Sequence, residues 1–213
     1  AVLLVASGAI KYALGILDGA VRLTNTEPKF VVQNKERPDT VVLLVHGIFG
    51  DLVDTWRNPN GVAFFELFDR DVEFKGKFDV YAFGFPSSYF QDGSYKISEA
   101  AKRLQLHVYD KLKDYRRIII IAHSMGGLVA MRYMWLDDRN PRRVPLMVLF
   151  STPQDENQVA AIARYVAWNP SLADMAGGRD ARFFGDLDDN WKKDGAIRPH
   201  VVCAYEVRNT FLF

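Results

Sequence analysis

Five short apolar runs at wide spacing constrain the fold more than any other feature of the chain. They are TVVLLVH (40–46), FDVYAFGF (78–85), RIIIIAH (117–123), PLMVLFS (145–151) and HVVCAYE (200–206). Continuous Val, Ile and Leu without polar alternation is what a strand buried on both faces requires. Helix-patterned stretches separate them. These are GVAFFELFDRDV (61–72), SYKISEAAKRLQLHVYDKLKDY (94–115), MGGLVAMRYMWLDD (125–138), DENQVAAIARYVAW (155–168) and RDARFFGDLDDNWKK (179–193), the second carrying Ile97, Ala101, Leu104, Val108 and Leu112 at helical spacing. Alternating strands and helices predict an α/β architecture, a central mostly parallel sheet with helices on both faces. With 213 residues, 49% of them hydrophobic, the chain can bury one sizeable core. Residues 40–213 are expected to form that domain. Residues 1–39 are expected to supply an N-terminal helix and a polar connection with a short strand at 29–33.

Charge excludes one class of function. Lys and Arg number 27 against 26 Asp and Glu, so no global field recruits nucleic acid. Cys203, the single cysteine, sits in an apolar run and is expected to be a small buried strand residue. The first residues, AVLLVASGAIKYALGILDGAV, carry Lys11 and Asp18 and read as an amphipathic helix packed on the domain or a partner, ahead of a membrane anchor. Residues 1–23 are thus the candidate contact with a membrane or a protein. Nothing in the sequence assigns a compartment.

The stretch IIIIAHSMGGLVAM (118–131) carries the chemistry. A serine on a sharp turn between strand and helix is forced into a strained conformation, and small residues two positions to either side let it stand clear of the sheet. Ala122 and Gly126 occupy those positions around Ser124. The helix opening at Met125 aims free amides and its positive dipole end at the serine oxygen. Capping that helix would explain the serine, but not the two glycines or the four buried isoleucines. Ser124 is therefore read as a nucleophile. A second element lies one strand–helix unit earlier, where VHGIFGD (45–51) ends the first long run in a glycine loop. An acyl-transfer site needs two amides on the developing oxyanion, one after the nucleophile and one from a neighbouring loop. Met125 supplies the first by position, and Ile48 or Phe49 the second.

The chain resembles the lipase-like branch of the α/β-hydrolase fold. It is most similar there to the serine-active-site-containing proteins related to phosphatidylglycerol-remodelling and GPI-inositol-deacylating enzymes. HGIFGDLVDTW (46–56), AHSMGGLVAM (122–131), STPQDENQVA (151–160) and CAYEVRNT (203–210) carry the resemblance, over roughly residues 40 to 210. Gln154, Glu156 and Asn157 depart from the family's usual Ser-Thr-Pro-His-x-Gly-Ser. The resemblance implies a serine esterase or lipase-like acyl hydrolase acting on a small-molecule or lipid ester. No cofactor is implied, and the scattered histidines lack the spacing of a metal site.

A serine needs a histidine to take its proton and a carboxylate to orient that histidine, in the chain order Ser, acid, His. Glu206 ends the fifth run at the carboxyl edge of the sheet and is the expected acid, with Asp155 as the alternative. The four histidines fit poorly. His46 belongs to the glycine loop, His107 lies mid-helix, His123 is turned away by the elbow and packed, and His200 opens its strand on the opposite edge. The proton acceptor, with a further strand, is expected beyond Phe213. The competing expectation is a non-catalytic interaction module lacking a complete triad.

Overall fold

The computed structural model describes residues 27–47, 50–58, 60–85, 97–154, 189 and 197–204. Each apolar run forms a strand: β2 Thr40–Val45, β3 Asp79–Phe83, β4 Arg117–His123, β5 Leu146–Phe150 and β6 His200–Ala204, preceded by β1 Lys29–Val32. They make one sheet in the order β1-β3-β2-β4-β5-β6. β1 runs antiparallel to β3, and every other pairing is parallel. The described helices are α1 Leu67–Arg70, α2 Ile97–Lys111, α3 Met125–Met134 and α4 Asn140–Arg143.

Strand periodicity sends successive side chains to opposite faces, and both faces are covered. Val41, Leu43 and Val45 of β2 join Ile118, Ile120 and Ala122 of β4 beneath α2 and α3. Val42 and Leu44 join Ile121 on the other face with Leu52, Trp56 and Phe65. All six residues of β2 are buried. Each fully buried Val or Leu contributes about 1.5–3 kcal/mol, so this strand anchors the sheet. The spacing predicted for α2 holds, since Ile97, Ala101, Leu104, Val108 and Leu112 are all buried.

Three expectations need correcting. Residues 61–72 do not make a long helix: a 3-10 turn at Phe64–Glu66 leads into the single turn of α1. Phe65 is buried in the core, and Phe64 and Phe68 meet edge to face at 5.8 Å. Cys203 is exposed. Among the described residues β6 pairs only with β5, at the sheet's edge, so an apolar run does not guarantee burial there. The expected all-buried character of the fifth run fails for the same reason, with Val202 42% exposed.

At the amino edge, a polar knot ties the connection before β2 to the sheet. Asp79 is fully buried. The Asn34 backbone N–H and side-chain amide donate to its Oδ1 at 2.8 and 2.9 Å, and the Tyr115 hydroxyl donates to Oδ2 at 2.5 Å. The Arg37 guanidinium lies 4.6 Å over the Tyr115 ring. Burial, then the bond to Asp79, pushes the Tyr115 hydroxyl up to about 12. Tyr115→Phe should leave a buried carboxylate short of a donor and cost about 1–3 kcal/mol, measured as a lower urea midpoint at unchanged slope.

The topology also locates the site. β2 lies between β3 and β4, so the chain leaves β2 to one side and later returns to the other. Such a reversal opens a crevice at the carboxyl ends of the two strands. Val45 pairs with Ala122, bringing the residues after β2 beside the residues after β4. Among the described residues no helix is long and apolar enough to cross a membrane. Residues 1–23, expected to form a helix, lie outside them.

Candidate active site

Ser124 stands where β4 passes into α3, with φ 52° and ψ −127°. Among the described non-glycine residues only it and Ser151, at φ 47°, have a positive φ. Such conformations cost about 1–3 kcal/mol and persist only where the surroundings impose them. Here the Ser124 N–H donates to Phe150 O at 2.8 Å, and the Gly127 N–H donates to Ser124 O at 3.0 Å. The Ser124 side chain makes no capping hydrogen bond, so helix capping does not account for it. Met125 opens α3, and its amide therefore belongs to the first turn, whose N–H groups have no partner within the helix.

The glycines around the serine answer to close approach. A Cβ at Gly126 would lie 2.5 Å from Val45 O and strike His46 O, both backbone atoms. One at Gly127 would run into the Thr152 side chain. One at Gly47 would lie 2.7 Å from Ser124 Cβ and 2.9 Å from His123 O. The loop after β2 is thus pressed directly against the turn after β4. Gly47 and Gly50 close that loop with an N–H to O bond of 3.1 Å. Asp51 and Thr55 brace it beyond, the Asp51 N–H donating to Thr55 Oγ1 at 2.9 Å.

A cleft of 410 Å³ opens at the carboxyl ends of β4, β5 and β6. His123, Phe150 and Ala204 line it from the strand ends, and Trp56, Arg57 and Phe64 from the chain after β2. Arg57 is engaged within the protein: it bonds Gly61 O and lies 3.8 Å from Glu66 and 3.9 Å from Asp54. The cleft therefore presents aromatic walls more than a free cation.

Of the expected site residues, Ser124 stands against Gly47 and Met125 follows it at the start of α3. Ile48, Phe49, Asp155 and Glu206 lie outside the described residues. His123 shares the face of Ile119 and Ile121, is half-buried and lines the cleft, with its ring close to Gly47. His107 pairs with the Tyr81 hydroxyl at 3.1 Å, part-buried on α2. His200 is exposed at the amino edge and pairs in register with Leu146, a strand's length from Ser124.

Sequence reasoning missed Thr152. It is 2% exposed, its hydroxyl has no hydrogen-bond partner among the described residues, and it fills the space that Gly127 leaves. Its place after a buried strand was visible, but the contact with α3 is tertiary and leaves no local signal. Thr152→Val keeps the shape and removes the orphaned hydroxyl, so stability should hold or rise by about 1 kcal/mol in thermal unfolding.

Among curated proteins none matches the sequence. Solved structures do. The mature Bacillus licheniformis lipase BlEst2 aligns with a TM-score of 0.54 at 17% identity, over 84% of this chain and 71% of that one. Its propeptide form aligns with a TM-score of 0.57 at 14% identity, over 84% and 39% respectively. At these identities the likeness is one of fold. The model of the alpha/beta hydrolase family spans residues 42–211, taking in most of β2, the glycine loop, the strained serine and every strand from β3 to β6. The chain belongs to the alpha/beta hydrolase family.

Proposed function

We propose that the protein is a serine hydrolase that cleaves carboxylic esters through an acyl-Ser124 intermediate. The observation that carries this reading is the backbone of Ser124, which is strained, makes no capping bond through its side chain, and packs against Gly47. A serine hydroxyl held this way, at the crevice between β2 and β4, has the position a nucleophile needs. Ser124 Oγ attacks the ester carbon, and the Met125 amide with that of Ile48 or Phe49 receives the oxyanion. The alcohol leaves, and water then releases the acid from the acyl-serine. Glu206, with Asp155 as the alternative, is the carboxylate that orients the base. We place that base outside His46, His107 and His200, which are held by Phe85, paired with Tyr81 and exposed at the amino edge respectively. The aromatic cleft beside His123 supports an apolar acyl group, hence a lipid or acyl ester.

A second reading is a hydrolase-fold interaction module without turnover. p-Nitrophenyl esters of graded chain length separate the two. Burst kinetics with a burst of one product per protein supports the acyl-enzyme, and absence of any turnover above Ser124→Ala supports the module.

A further inference from the structure

Two serines leave the sheet side by side. β4 and β5 pair as far as His123 and Phe150, and Ser124 and Ser151 come next. The Ser124 N–H donates to Phe150 O at 2.8 Å and the Ser151 N–H to Ala204 O at 2.9 Å, so each makes one last bond to the neighbouring strand. Each then turns out of the sheet at a positive φ, 52° and 47° respectively. Neighbouring strands lie about 4.8 Å apart, so the two residues start about one strand spacing from each other.

The turn at Ser151 has a structural task. It sends Thr152 into the protein, where its side chain fills the space beside Gly127, and Pro153 after it is buried. The Gln154 side-chain amide braces the turn by donating to Thr152 O at 2.9 Å. That task belongs to the backbone, and glycine would perform it without the strain that a side chain meets at this φ. No hydrogen bond to another described residue engages the Ser151 hydroxyl. The side chain looks elsewhere: Ser151 is half-buried and lines the cleft together with Phe150, Trp56 and Phe64. Among those rings, a plain hydrocarbon chain that displaces water would leave the hydroxyl without a partner, which is unfavourable. An oxygen on the chain at the same level would remove that cost.

We propose that Ser151 is a specificity-determining residue whose hydroxyl hydrogen-bonds an oxygen carried on the acyl chain close to the ester carbon, so that the cleft selects esters of acids hydroxylated at the second or third carbon. This rests on the acyl-Ser124 reading above, in which the cleft holds the acyl group. Position sets the choice of carbon. One strand spacing from Ser124, the hydroxyl reaches the first acyl carbons and not the far end of a long chain.

Matched esters test this. The p-nitrophenyl esters of 3-hydroxybutyrate and 3-methylbutyrate differ by a hydroxyl against a methyl, and those of 2-hydroxybutyrate and 2-methylbutyrate form the second pair. With kcat/KM corrected for each ester's own reactivity toward hydroxide, the wild type should favour the hydroxy member of at least one pair. Ser151→Ala keeps the strain and loses the hydroxyl, whereas Ser151→Gly loses both. The hydroxy-to-methyl ratio should fall about tenfold in both variants, while Ser151→Gly melts higher than Ser151→Ala. A serine with a structural task alone would leave the ratio unchanged or let it follow the melting temperature. Either result would overturn the proposal, as would a wild type that prefers the methyl member of both pairs, and the hydrolase reading would survive each of them. A folded wild type that turns over none of these esters would overturn that reading and the specificity role with it.

Discussion

Replacing Ser124 by alanine should lower kcat for ester hydrolysis by about 10⁴-fold or more, with the melting temperature essentially unchanged. The two halves of this expectation have separate causes. Turnover is lost because the acyl group has no oxygen to join. Stability is kept because the Ser124 side chain makes no capping hydrogen bond, so removing it leaves no helix amide deprived. The strain lies in the backbone, at φ 52° and ψ −127°, and alanine inherits it. Ser124→Gly does not, and should be more stable than Ser124→Ala by about 1 kcal/mol or more. An alanine variant that retains turnover would remove Ser124 from the chemistry. A glycine variant no more stable than alanine would mean that the strain is not held in this turn.

The second large effect belongs to the glycines of α3. Gly126→Ala sets a Cβ 2.5 Å from the Val45 carbonyl oxygen, with the His46 carbonyl also in its way. Neither backbone atom can give without moving β2, whose residues are all buried. Overpacking of this kind costs about 3 kcal/mol, and the displaced β2 end should carry the Gly47 loop away from Ser124, so turnover falls as well. Gly127→Ala meets an obstacle of another kind, the side chain of Thr152. Thr152→Ala should therefore restore part of the stability lost in Gly127→Ala, a coupling of about 1 kcal/mol in a double-mutant cycle. No such partner should rescue Gly126→Ala. Thermal unfolding of the three single and two double variants reads both statements.

How far the fold was legible follows from which elements carry their own signal. β4 at Arg117–His123 and the start of α3 at Met125 fall where four isoleucines and a double glycine place them. The face of α2 likewise follows from apolar spacing. Residues 61–72 misled, because their apolar spacing fits a helix while the chain there makes only a 3-10 turn and a single helical turn. Cys203 misled because burial at a strand depends on its neighbours, and β6 has β5 alone among the described residues. Within the site, the motif pattern singled out Ser124, Gly126 and the loop after β2. It did not reveal that Gly47 touches the serine's Cβ, that Thr152 fills the space beside Gly127, or that Phe85 donates to the His46 ring. Phe85 and His46 are 39 residues apart, and contacts across such distances are made by the sheet order. That order, with β2 set between β3 and β4, is the one feature that strand and helix signals leave open.

The central claim is that Ser124 is a reactive nucleophile, and a fluorophosphonate probe tests it without knowledge of the substrate. The protein should take up one probe per chain, mapped by peptide mass to Ser124 and absent in Ser124→Ala. A folded protein that remains unlabelled, or is labelled at another residue with Ser124 untouched, would contradict the account.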